Sequence, residues 1–150
     1  MNIQEYTKPE KLEKYSFFWS IARLFIASVA LFLGGFPPIL KIVPSNFYSL
    51  TSSLLTICWV ISGLASAYLV YAWIQKGKTV FGGKDKKDLT AFWLMIITGF
   101  NLGITGIFSS NIGMNIAGGN KIIFIITGFI YIITAVYLIK RYTASGKKLF

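Results

Sequence analysis

The sequence predicts an all-α integral membrane protein: a four-helix bundle with both termini cytoplasmic. Three observations predict it. Of 150 residues, 55% are hydrophobic and only 13% are charged, about half the charged share of a soluble domain, and mean hydropathy is +0.64. The apolar residues are gathered into four long blocks. Most of the 15 basic residues gather at alternate ends of those blocks. An ordinary soluble domain, a disordered tail and a nucleic-acid-binding module are all excluded. A net charge of +10 would suggest nucleic acid in a soluble protein. Here topology and anionic lipid head groups account for it.

A helix needs about 20 mostly apolar residues to cross the hydrocarbon core. Blocks at about 17–34, 50–74, 89–109 and 122–139 satisfy this and form one domain. They are continuously apolar, whereas barrel strands alternate over about ten residues. The first helix reads back beyond its block. Thr7 and Glu10 form a capping box and Pro9 suits a first turn, so the helix starts near Lys8. Gly34-Gly35 and Pro37-Pro38 end it. Ser45 or Ser49 is expected to cap the second helix, Asp88 the third and Asn120 the fourth. No signal-peptide cleavage pattern precedes the first block, and Glu5, Glu10 and Glu13 argue against a transit peptide. The first span is therefore expected to remain as an anchor.

Orientation follows from the positive residues. Lys8, Lys11 and Lys14 precede the first span. Lys76, Lys78, Lys84, Lys86 and Lys87 mark the loop at 75–88. Lys140, Arg141, Lys147 and Lys148 follow the fourth span. The two opposite loops carry only Lys41 and Lys121. Twelve against two places both termini and the basic loop in the cytoplasm, beside anionic head groups. Trp19, Trp73, Trp93 and Tyr142 fall at that interface as an aromatic belt. Thirteen of the 15 basic residues are Lys, and Ile, Asn and Phe abound. That is the bias of an AT-rich genome and points to a bacterial plasma membrane.

Two repeated helical hairpins are one reading of the order of motifs. Phe18-Trp19 opens the first span and Phe92-Trp93 the third, an offset of 74. Gly77-Lys78-x-x-Phe81 follows the second span and Gly146-Lys147-x-x-Phe150 the fourth, an offset of 69. The other reading is that membrane interfaces select such residues in any case.

Each span carries a stripe of mostly small or polar residues at helical spacing: Ser16, Ser20, Arg23, Ala27 and Gly34; Ser52, Thr56, Trp59, Gly63 and Ser66; Thr98, Asn101, Thr105 and Ser109; Thr127, Tyr131 and Thr134. Gly63, Gly99, Gly103, Gly106 and Gly128 are expected at close helix contacts, and Gly99-x-x-x-Gly103 is a GxxxG pair. The third span shows both a glycine face and a polar face. It is expected to touch two neighbours, one of them in another protomer.

Arg23 is the only charge inside a span. Two readings stand. Its guanidinium snorkels back to cytoplasmic head groups, with Trp19 offering a cation–π face. Alternatively it faces inward, where Ser66, Tyr131, Thr134 and the deeper Asn101 complete a cytoplasm-facing pocket for a lipid phosphate or small anion. No span holds an acidic partner for it.

Other chemistry lacks its residues. There is no His, and Cys58 is the single cysteine, so histidine catalysis, an intramolecular disulfide and CxxC metal or redox sites are absent from this chain. No cofactor is expected. Gly77-Lys78-Thr79 resembles the end of a P-loop, but Ala72 stands where the motif needs glycine. A lipid-modifying enzyme would have only Asp85 and Asp88 as nearby carboxylates, which loop solubility and capping explain better. The main functional expectation is a non-enzymatic subunit in a homo-oligomer or a larger membrane complex. The alternative is an oligomeric transporter or channel for an anionic or amphipathic solute, using the Arg23 region.

Overall fold

The computed structural model describes residues 8–150. Its order is α1 (Pro9–Phe32), α2 (Pro38–Ile42), a 3-10 turn at Ser45–Phe47, α3 (Tyr48–Gln75), α4 (Lys86–Phe108), α5 (Ile112–Ala117) and α6 (Lys121–Ala144). Four of these helices, α1, α3, α4 and α6, are long and apolar enough to cross a membrane. The fold is thus all-helical. The short α2 and α5 sit in the two loops at the end opposite the termini, where the sequence predicts only loop.

The boundaries have identifiable causes. Pro9 opens α1 behind Lys8, as the sequence suggests, while Thr7 lies outside the described residues. At its far end Gly34 and Gly35 both take positive φ, and their N–H groups bond the carbonyls of Leu31 and Ala30, a Schellman ending that suits glycine. Asn120 caps α6 by accepting from Ile122 N and Ile123 N. The other two expected caps are corrected. Helix α3 continues from the 3-10 turn behind Phe47 with no side-chain cap, leaving Ser45 in the turn and Ser49 already helical. Helix α4 is capped by Asp85, whose carboxylate accepts from Lys87 N at 2.6 Å and Asp88 N at 3.4 Å. The helix extends a charged turn below the apolar block, which frees Asp88 for another role.

The four long helices pack as a ring, α1 to α3 to α4 to α6 and back, with α1 also meeting α4 across the centre. The most extensive contact, α3 on α4, runs through glycine. A Cβ built on Gly63 would lie 2.8 Å from Gly103 Cα, and one on Gly103 would lie 2.8 Å from Gly63 Cα. Gly106 lies against Val60, and the Phe32 ring fills the space beside Gly128. Backbones this close gain dispersion contacts that lipid cannot match. Within the chain the glycine face of α4 lies on α3, and its polar face bonds Arg23 through Thr98 and Asn111 through Asn101. The buried apolar core gathers at the termini end, around Phe17, Leu24, Leu69, Phe92, Met95 and Leu138. There the loop after α3 and the C-terminal tail close the bundle, with Phe81 N–H donating to the Leu149 carbonyl at 2.7 Å.

Candidate functional site

Arg23 is turned into the bundle, 6% exposed. Its Nη2 donates to the Met95 carbonyl at 2.5 Å and to Thr98 Oγ1 at 3.3 Å, and its Nη1 to Ser66 Oγ at 3.5 Å. Thr98 Oγ1 also donates to the Met95 carbonyl, at 2.8 Å. One guanidinium therefore joins α1 to α3 and α4. The room comes from Gly99, where a Cβ would collide with Arg23 Nη1 and Ser66 Oγ. Among the described residues, Arg23 Nε and the buried Ser20 Oγ have no hydrogen-bond partner. All the acceptors around the cation are neutral. A charge held this way keeps part of its desolvation cost, because no counter-charge offsets it.

Of the two readings of Arg23, the geometry is the inward one. Trp19 does not receive the cation; its Nε1 donates to Ser62 Oγ at 3.0 Å, and Ser62 Oγ donates to the Cys58 carbonyl. Ser66 is in the site. Tyr131 on α6 packs against the core and Thr134 is buried on the same helix; the hydrogen bonds of Arg23 go to neither. Asn101 is elsewhere. Its Oδ1 accepts from Gly113 N at 3.2 Å and its Nδ2 donates to Asn111 Oδ1 at 2.9 Å, tying α4 to the cap of α5 at the opposite end. The expected opening toward the termini side is filled: Val80, Phe81 and Leu149 are buried there with Phe17 and Phe92.

A second polar centre, which the sequence does not single out, lies at the termini end. Asp88 is 0% exposed and accepts from Tyr137 Oη at 2.7 Å, Arg141 Nε at 2.8 Å and Arg141 Nη2 at 2.6 Å. The guanidinium fork matches the carboxylate bidentately, the strongest geometry for such a pair. A Tyr-x-x-x-Arg spacing, which puts Tyr137 and Arg141 on one face of the last turns, was the available signal. The other hairpin is closed at the same level, where Lys76 Nζ meets Glu13 Oε1 at 2.8 Å. Gly77-Lys78 proves to be a helix ending: Lys78 N–H bonds the Trp73 carbonyl at 2.9 Å, so no phosphate-binding loop forms. Among the described residues no group of three or more His, Cys, Asp or Glu could hold a metal.

These features define a class, an all-helical bundle with four helices long and apolar enough to span a membrane and an arginine tie between them. In comparisons with known proteins, no family model, curated protein or solved structure gives a match.

Proposed function

We propose that the protein is a non-enzymatic subunit of a homo-oligomer or larger membrane complex, in a bacterial plasma membrane with both termini and the basic loop cytoplasmic. The observation that carries this reading is how the interior polar groups are used. Arg23 joins three helices, Trp19 bonds Ser62, and Ser28 Oγ donates to the Gly128 carbonyl at 2.9 Å. Association is supported by α3, which has no buried residue from Tyr48 to Ile61 yet exposes Ser49, Ser52 and Ser53. Small hydroxyl-bearing residues on an outer face are the usual contact surface between membrane helices. Light scattering and native mass spectrometry of gently extracted protein test this. A defined oligomer or a co-purifying membrane partner is expected; a bare monomer with no partner contradicts it.

The two-hairpin repeat belongs to the same proposal, and the burial pattern supports it with one change of register. The buried Glu13, Phe17, Ser20, Ile21, Leu24 and Ser28 of α1 each have a buried counterpart 75 positions on: Asp88, Phe92, Met95, Ile96, Gly99 and Gly103. Phe17, and not Phe18, is then the partner of Phe92. Phe81 packs on Phe17 with ring centroids 6.2 Å apart, and Phe150 packs on Phe92 at 5.7 Å. Lys78 and Lys147 both take positive φ after a glycine and bond back to Trp73 and Tyr142. An axis along the membrane normal would relate such hairpins.

One observation favours a second reading, an oligomeric transporter or channel for an anionic or amphipathic solute. Arg23 has no counter-charge and an unpartnered Nε. Liposome flux of small anions is the test. Flux lost in Arg23→Ala, with folding retained, supports this reading; wild-type liposomes with no flux above empty ones contradict it.

A further inference from the structure

At the end opposite the termini, the sequence places only two cations, Lys41 and Lys121, and no acid: Asp and Glu are absent between Glu13 and Asp85 and after Asp88. The structure brings both lysines to one cleft of about 380 Å³ between the end of α1 and the start of α6, walled by Phe32, Gly34, Phe124 and Ile125. That is the size of a small-ligand site. Lys41 is held over it, its Nζ 3.5 Å from the Leu33 carbonyl and 5.9 Å from the centroid of the Phe36 ring. Below the lysines the outer face of α6 is apolar: Ile125 in the cleft wall and Phe129, one turn further along, are about half-exposed, and Phe129 stacks edge-on against Phe32, which also lines the cleft, at 5.2 Å.

The geometry points to a binding site for one phospholipid of net negative head group, taken from the leaflet opposite the termini. Its phosphate lies between Lys41 and Lys121, and an acyl chain follows Ile125 and Phe129 down α6. Two lysines without a carboxylate nearby supply the charge complementarity, and the apolar, membrane-facing wall suits a lipid better than a free anion. The site stands apart from Arg23 and depends on neither reading of it.

Native mass spectrometry of the full-length protein titrated with phosphatidylglycerol, beside phosphatidylcholine, tests the site. One phosphatidylglycerol is expected on the wild type and on Lys78→Gln/Lys84→Gln, whose lysines lie at the other end. Lys41→Gln/Lys121→Gln is expected to bind about 25-fold more weakly, about fivefold for each lysine, and Lys41→Arg/Lys121→Arg to bind as wild type. Ile125→Trp narrows the cleft without changing charge and should also weaken binding, which serves if the glutamine variant is unstable. Equal retention of the two lipids by the wild type, no retained lipid, or undiminished binding by the glutamine variant would overturn the proposal.

Discussion

Arg23 sits among a carbonyl and two hydroxyls, and its charge and its volume can be separated by mutation. Arg23→Met keeps most of the volume and removes a buried charge whose desolvation no counter-charge offsets. Arg23→Ala leaves a cavity and should cost about 2 kcal/mol or more. Thermal unfolding in detergent is expected to rank Met at or above wild type and Ala below it. A Met variant as unstable as Ala would mean that the hydrogen bonds, and not the packing, hold the three helices. At the termini end, Asp88→Ala should lower the melting temperature more than Glu13→Ala, because Asp88 receives three donors from two side chains while Glu13 meets one lysine. The importance of Arg23 was legible as the only charge in a span. Its main acceptor was not, since the backbone carbonyl of Met95 leaves no mark on residue type. Asp88 was misread as a cap for a related reason: hydropathy marks where the apolar block begins, not where the helix does.

At the scale of elements, the glycine seam between α3 and α4 is the most sensitive contact. Gly103→Val would drive its side chain against Gly63 Cα, which a Cβ on Gly103 already approaches to 2.8 Å. Overpacking of this kind costs about 1–3 kcal/mol, and the variant is expected to melt correspondingly earlier than wild type. Gly34→Ala meets no atom within 4 Å but must hold φ near +81°, so its smaller cost comes from backbone strain alone. The four spans were legible because length and hydropathy are set by the membrane itself. The short helices were not, although Pro38 at a first turn, Asn111 as a cap and Gly118 in the left-handed region mark them. Helices of 5 and 6 residues carry too little periodicity to stand out in a hydrophobic chain.

For the whole molecule, ring order and closure come from contacts distant in sequence. Lys41 and Lys121 are 80 positions apart yet line one cleft, and Phe81 meets Leu149 through a backbone bond. Neither pairing has a local signature. The sidedness of the chain does, through the distribution of lysine, and the reading of the whole molecule rests on it. Cysteine accessibility in intact cells measures it directly, in a Cys58→Ser background with Lys84→Cys, Lys147→Cys or Ile116→Cys, the last 81% exposed in the wild type. A membrane-impermeant maleimide is expected to label Ile116→Cys in intact cells, and Lys84→Cys and Lys147→Cys only after permeabilisation. Labelling of Lys84→Cys or Lys147→Cys before permeabilisation would contradict the topology.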